Sequence, residues 1–270
     1  MDEYGKVIEF INSQNANQEH IKTGYLELDK AIGYNLKGSL ITVGARPSMG
    51  KTAFLTTLAL NLIKNDSNIL FFTFEQSKEM LLRRLMLQQA KIPIKRVWQE
   101  AFSAEEKQAL EAAVEFIAPK LVIDDKFNVD IKFIEAKIKR QHFDYLLIDG
   151  VHLLKTSDLD EFLAKLKKIT AKYGTTCFVT ANLTQELEQR DCRIPLLGDT
   201  GIETLEELSE VVIFPYRPNY YEQDFELREE NFEKAMFYIA KNKFGPTWSL
   251  DMQFNRNLVC FEDIPIIDVF

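Results

Sequence analysis

The stretch LITVGARPSMGKTAFLTTLALNL, Leu40 to Leu62, sets an apolar strand before a glycine-bearing turn ending in Gly50-Lys51-Thr52, with a helical pattern after it. A turn at a helix start leaves backbone N–H groups without intrahelical partners, and the helix's positive end favours an anion there. The N–H groups from Ser48 through Met49, Gly50, Lys51 and Thr52 to Ala53 can therefore converge on one triphosphate. Gly50 lets the backbone approach closely, Lys51 puts a point charge near the β and γ oxygens, and the Thr52 hydroxyl suits the Mg²⁺ that accompanies ATP. Against GxxxxGK[ST] the first glycine falls at Ala45, with Gly44 one position early, so this is a relaxed form of the motif. The strand Ser39–Gly44 and the helix Lys51–Lys64 supply the context that distinguishes it from a chance match in a loop.

Outward from this turn the chain alternates. Apolar strand candidates fall at Leu40–Gly44, Asn68–Phe74, Lys120–Ile123, Asp144–Ile148, Thr176–Ala181 and Val211–Phe214. Helical patterns intervene at Lys51–Lys64, Lys78–Ala90, Ala104–Ile117, Asp130–Gln141 and Asp158–Tyr173. Strand and helix in turn predict a mainly parallel central sheet covered on both faces, an α/β fold. The tail changes character: Met236–Ala240, Trp248–Phe254 and Leu258–Phe261 are strand-like and joined by short turns, which predicts an antiparallel C-terminal extension. At the other end, Glu3–Ser13 reads as a short amphipathic helix with Tyr4, Val7, Ile8 and Ile11 on one stripe, followed by the polar run NSQNANQEH. So narrow a stripe cannot stabilise a helix alone, so residues 1–20 are expected to form an arm docking on the body or on a neighbouring copy. Residues 21–270 are expected to form one domain.

Composition restricts the function classes. The chain has 270 residues, 46% of them hydrophobic, enough to bury a full core. Its 33 basic and 41 acidic residues give a formal charge of -8, which argues against a surface that binds nucleic acid by bulk charge; such contact would have to be local. Cys177, Cys192 and Cys260 are too few and too widely spaced for a disulfide framework or a zinc site. The acidic opening MDEYGKVIEF lacks the build of a signal peptide, and no apolar run reaches the length of a membrane span. A soluble cytoplasmic protein with no membrane partner is the expectation.

Ligands of such a sheet sit at the carboxyl ends of its strands, which gives priority to the polar residues there. Asp149 ends the run Tyr145–Ile148 and fits a carboxylate that orients Mg²⁺, against the alternative of a cap on the following segment. Glu75 ends Ile69–Phe74 and fits a base for the attacking water, or else an acid in the first turn of the next helix. Asn182, after Thr176–Ala181, could sense a γ-phosphate or be an ordinary turn residue. His20, His142 and His152 are too scattered for a metal triad, although His152 lies just beyond Asp149. The basic clusters Lys137-Lys139-Arg140 and Lys165-Lys167-Lys168 read as solvated helix faces.

Taken together, TGYLELDKAI, GARPSMGKT, FTFE, LLIDGVHLL, NLTQELEQR and AKNKFGP resemble, in order and rough spacing, the C-terminal ATPase domain of DnaB-type replicative helicases, over nearly the whole span Ile21 to Asp263. The resemblance implies a RecA-like P-loop fold assembled as a ring, usually a hexamer. It also implies ATP and Mg²⁺ at subunit interfaces, single-stranded DNA in the central channel, and other replication proteins as partners. It implies that Lys51 and Thr52 serve the phosphates and Mg²⁺, that Glu75 is the catalytic glutamate and that Asp149 is the Walker B aspartate. Thr184–Gly201 matches the region supplying DNA-facing loops. Lys241-Asn242-Lys243 matches the place where a neighbouring subunit contributes a lysine and an arginine finger, so Lys241 and Lys243 are catalytic candidates acting across an interface.

The departures from the family pattern are specific. Lys243 stands where the arginine finger is usual, and it lacks the planar fork that grips several phosphate oxygens. His152 replaces a glutamine after the Walker B aspartate, Asn182 replaces the γ-sensing glutamine, and Gln185 replaces an arginine. The stretch GDTGIETLEELSE is acidic where Arg-Glu-Ser-Gly is usual. The family's N-terminal helical domain is not in the sequence, and Met1 together with the departures favours a short paralogue over a cut-out domain. The expected function is an ATP-dependent DNA helicase or translocase domain. The competing readings are a nucleotide-binding paralogue that co-assembles with or regulates a replicative helicase, and a recombinase- or clock-like RecA relative.

Overall fold

The computed structural model describes residues 23–32, 36–99, 101–220 and 231–265. The expected N-terminal helix at Glu3–Ser13 lies outside them. Nine strands form one sheet: β1 (Leu40–Ala45), β2 (Ile69–Thr73), β3 (Leu121–Asp124), β4 (Tyr145–Asp149), β5 (Thr176–Asn182), β6 (Val211–Tyr216), β7 (Phe232–Asn242), β8 (Trp248–Asn255) and β9 (Cys260–Asp263), in the order β3-β2-β4-β5-β1-β6-β7-β8-β9. The first six are mutually parallel, and β6 to β9 continue antiparallel. β1, β2 and β4 are buried along their whole length, which is why they read as unbroken apolar runs rather than alternating ones.

Seven helices are described: α1 (Leu26–Ile32), α2 (Lys51–Lys64), α3 (Lys78–Gln89), α4 (Ala104–Ile117), α5 (Ile131–Arg140), α6 (Leu159–Tyr173) and α7 (Glu203–Leu208). They divide the core in two. One cluster joins residues of α1 to α4, such as Leu28, Phe54, Leu58, Leu81 and Ile117, to Phe237, Phe254 and Phe261 of the extension. The other joins Ile134 and Ile138 of α5, Leu163 and Leu166 of α6 and Leu205 of α7 to Leu70, Leu146 and Val179 of the sheet. The predicted elements are present to within a residue or two at most ends; β7 is the exception, beginning at Phe232, ahead of the expected Met236. Two short helices, α1 and α7, escaped the sequence reading because seven and six residues carry too little periodicity to register.

Aromatic rings pack the antiparallel extension against α2. Phe54 stacks on Tyr25 with centroids 5.4 Å apart and meets the edge of Phe237 at 5.3 Å; Phe237 meets Phe261 at 5.1 Å and Phe261 meets Phe254 at 4.9 Å. These edge-to-face pairs contribute roughly 0.5–1.5 kcal/mol each beyond area burial. Their consequence is positional: the last strands wall one side of the turn that begins α2.

Candidate functional site

The helices differ at their first turns in a way that marks one of them. α3, α4, α5 and α6 each begin with a side-chain cap: Ser77 accepts from Met80 N at 3.3 Å, Ser103 forms a capping box with Glu106, Asp130 accepts from Phe133 N at 2.7 Å, and Asp158 from Glu161 N at 2.8 Å. α2 starts at Gly50, has no side-chain cap and carries no acid in its first turn. The orphan N–H groups and positive end of that helix are left to an outside anion. Gly50 has φ of 117°, and a Cβ there would stand 2.8 Å from the Phe261 ring, so both the backbone angle and the overlying strand demand glycine.

A cavity of about 470 Å³ opens above this turn, lined among others by Ser48, Lys51, Thr52, Glu75, Arg84 and Arg217. Gly50 and Ala53 also line it; Met49 does not. Met49 N–H donates to Arg46 O at 3.1 Å within the turn, and its buried sulfur accepts from Arg217 N at 3.3 Å. Met49 pins the turn from below.

Within the site, Thr52 Oγ1 donates to Asp149 Oδ2 at 2.7 Å, and Thr180 Oγ1 donates to Asp149 Oδ1 at 2.8 Å. Asp149 is fully buried, and burial, reinforced by Glu75, pushes its carboxyl above the usual carboxylate range while the two hydroxyls oppose the shift. Both of its oxygens are used inside the protein, so Asp149 is a strand-end carboxylate, not a helix cap. The hydroxyl and carboxylate oxygens paired at 2.7 Å form the hard donor set that Mg²⁺ takes, so the residues present fit that ion. Lys51 Nζ lies 3.7 Å from Glu75 Oε1; burial lowers its affinity for the proton, and Glu75 and Asp149 counteract this.

The other side of the site holds Asn182 and His152. Asn182 is paired across β5 and β1 with Ala45, so it stands beside the start of the phosphate turn. Its main-chain N is 3.4 Å from His152 Nδ1 and its amide nitrogen is 2.7 Å from His152 Nε2, which in turn lies 3.7 Å from Glu75 Oε1. Burial and the nearby Lys51 ammonium lower the His152 pKa, leaving a neutral ring at neutral pH.

Sequence reasoning missed Arg84. It follows Leu81 by three residues on the face of α3 that also carries buried Leu85 and Gln88, so a cation interrupting an apolar stripe was its signal. Burial lowers its pKa, and Asp149 and Glu75 act in the opposite sense. Arg217 and Arg256 were missed as well. Both pair with the buried carboxylate of Glu233, Arg217 lies 4.0 Å over the Phe254 ring, and its Nη1 donates to Ser48 O at 3.1 Å. They tie the extension to the phosphate turn.

Lys241 and Lys243 are not brought to this cavity. β7 runs antiparallel to β6 with Val211 opposite Asn242, so both lysines lie at the amino ends of the parallel strands, away from the phosphate turn. Lys241 Nζ donates to Glu206 O at 2.7 Å and Glu207 O at 2.9 Å, and Lys243 Nζ lies 3.6 Å from Glu210 Oε1. Thr184–Gly201 folds on itself: Thr184 N donates to Asp199 O at 2.7 Å, Arg190 pairs with Asp199, and Arg46 donates to Glu188 at 2.8 Å. The acidic stretch after it is partly structural. Glu206 accepts from Thr200 Oγ1 at 2.6 Å and Gly198 N at 2.7 Å, and Glu210 accepts from Leu40 N at 2.8 Å and pairs with Lys167.

Among the described residues no group of three or more His, Cys, Asp or Glu side chains is placed to hold a metal, and no helix is long and apolar enough to cross a membrane. A probable replicative DNA helicase of Trieres chinensis is 28% identical over 265 residues, 92% of this chain and 58% of its own. The replicative DNA helicase DnaB of Geobacillus stearothermophilus is 26% identical over 263 residues, 92% of this chain and 57% of its own. The chain thus spans less than three fifths of these curated relatives. A solved ATPase domain superposes with a TM-score of 0.85 at 25% identity over 97% of both chains. A DnaB-like replicative helicase, solved with attention to its interactions with primase, gives 0.84 at 26% identity over 97% of this chain and 66% of its own. The family model described as DnaB-like helicase C terminal domain matches residues 20–263, and with the RecA-like sheet and the phosphate turn in place this chain belongs to that family.

Proposed function

We propose that this chain hydrolyses ATP as the motor portion of a replicative-type DNA helicase, binding the triphosphate on the uncapped start of α2. The observation that carries this reading is the convergence of Lys51, the Thr52–Asp149 pair and Glu75 at the carboxyl ends of the parallel strands β1, β4 and β2. Ser48 and the backbone from Gly50 to Ala53 would cradle the phosphates, Lys51 would neutralise the β and γ oxygens, and Asn182 would meet the γ-phosphate from β5. Thr52 and Asp149 would hold Mg²⁺, which supplies charge neutralisation on the phosphate oxygens when bound. Glu75 would accept the proton of the attacking water as its oxygen bonds to the γ-phosphorus and the bond to the β-bridging oxygen breaks, releasing ADP and phosphate.

Lys241 and Lys243 stand at the opposite end of their own sheet, so a role for them in hydrolysis requires a second copy. This supports a ring, a hexamer on the family pattern, in which each copy contributes lysines to its neighbour's site. The arm at residues 1–20 and the body at 21–270 would be the working units, the arm docking on an adjacent copy. Single-stranded DNA would meet Thr184–Gly201. Because Arg190 and Arg46 are ion-paired to Asp199 and Glu188, contact with DNA phosphates would have to displace those pairs, making binding weak.

That same pairing favours a second reading, a nucleotide-binding partner of a larger helicase. ATP hydrolysis measured with and without single-stranded DNA at low salt separates the two. Stimulation of several-fold, with ring-sized mass, is the expected result for the helicase; hydrolysis indifferent to DNA together with copurification of a larger helicase would establish the second reading.

A further inference from the structure

We propose that His152 is a positioning residue for hydrolysis: its ring, bonded to Asn182 at the end of β5, stands beside the Glu75 carboxylate after β2 and sets the orientation in which Glu75 meets the attacking water. This rests on the reading of Glu75 as the general base.

The placement of His152 is built by its surroundings. Gly150, at φ 88°, starts a single tight turn, Val151–Leu153, that carries the chain across the strand ends just after Asp149. Gly150 N donates to Thr180 Oγ1 at 2.7 Å, the same hydroxyl that holds Asp149, so the turn is anchored to the metal-facing carboxylate. A Cβ at Gly150 would stand 2.8 Å from Glu75 Cγ, which shows how closely the turn abuts the stem of that side chain. The His152 side chain is only 19% exposed, and Glu75 27%.

A neutral imidazole offers one acceptor nitrogen and one N–H donor. Nδ1 faces the Asn182 main-chain N–H at 3.4 Å and takes the acceptor role, which leaves the hydrogen on Nε2. Nε2–H then needs an acceptor, and two are at hand: the Asn182 amide, whose oxygen is buried and unpartnered as placed and reaches the ring by rotation, and Glu75 Oε1 at 3.7 Å. Glu75 Oε1 also lies 3.7 Å from Lys51 Nζ. Once a triphosphate engages Lys51 and Asn182, both competing contacts are drawn away, and His152 is the donor that stays beside Glu75. Lys51, Asp149 and Glu75 are the charged groups that face the ring.

The test compares His152→Ala and His152→Gln in the full chain, with steady-state ATP hydrolysis and binding of a fluorescent ADP analogue measured on each. His152→Ala is expected to lower kcat roughly ten- to a hundredfold through misplacement of the base, with KM and ADP affinity within about twofold. His152→Gln, which keeps an N–H donor, should recover most of the rate. In a Glu75→Gln background His152→Ala should cost nothing further, because the group it positions is gone. An unchanged kcat in His152→Ala, or a joint loss of rate and nucleotide affinity that His152→Gln does not restore, would overturn the proposal. Wild-type hydrolysis by Glu75→Gln would instead remove the base reading itself. An inactive Glu75→Gln beside a fully active His152→Ala would remove only the role of His152.

Discussion

The two ends of the parallel strands treat charge differently. At the carboxyl ends, Lys51, Thr52 and Glu75 line one cavity, with buried Asp149 bonded to Thr52 behind it, and the helix that starts there lacks the side-chain cap that α3 to α6 carry. At the amino ends, Glu210 pairs with Lys167 and Lys243, and Lys241 donates to the carbonyls of Glu206 and Glu207. The first end is organised around a ligand that one copy can hold alone. The second has its charges occupied within the chain, and its lysines are useful to a nucleotide only if another copy brings one to them. The proposed reaction therefore divides into two half-sites at opposite ends of one sheet, about the length of a strand apart.

Changes at the two ends should differ in kind. The largest effect is expected from Lys51→Ala, which removes the cradle's cation: ATP turnover should fall at least about a hundredfold, as for loss of a principal charge-stabilising donor, whatever other copies are present. Steady-state hydrolysis checks it, and turnover within tenfold of the parent would deny the carboxyl end its role. Gly50→Ala comes next. With φ at 117° and the Phe261 ring in the way, it should cost at least about 2 kcal/mol in chemical denaturation and displace the last strand from α2.

The comparison sharpens at the amino end. Lys243→Ala should lower turnover about tenfold, the loss of one charge contact to a transition state, yet mixing it with Glu75→Gln subunits should restore hydrolysis at hybrid interfaces. A confirmed mixed assembly with no recovery would place Lys243 outside the reaction. The smallest effect belongs to Glu210→Gln, which keeps a partner for Leu40 N but weakens the pairs with Lys167 and Lys243. About 1 kcal/mol of stability, read from the denaturation midpoint, is the expected cost.

Much of this was legible in the chain because the relevant physics is local. A fully buried parallel strand must be apolar throughout, so β1, β2 and β4 announced themselves, and the carboxylates that ended or followed those runs were natural candidates. Ser77, Ser103, Asp130 and Asp158 mark helix starts through bonds spanning only three residues. What escaped depends on contacts distant in sequence. Arg84 gains its place only when α3 packs against α2 and its side chain joins Glu75 at the cavity. Spacing does not tell which N–H in a tight turn is bonded within it, as that of Met49 is to Arg46 O. Glu206 and Glu210 read as loop acidity, whereas one caps Gly198 and Thr200 and the other ties β1 to α6.

By itself, then, the sequence determined the alternation of strands and helices, the phosphate turn at Ser48–Ala53 and the carboxylates Glu75 and Asp149, since each is set by period, burial and backbone chemistry within a few residues. Only the tertiary structure decided what those groups face. It set Asp149 between two threonine hydroxyls, His152 between Asn182 and Glu75, and Lys241 and Lys243 at the far end of the sheet. The physical reason is that strand order is not sequence order: β4 and β5 separate β1 from β2, and the antiparallel return of β7 reverses the end at which its last residues emerge.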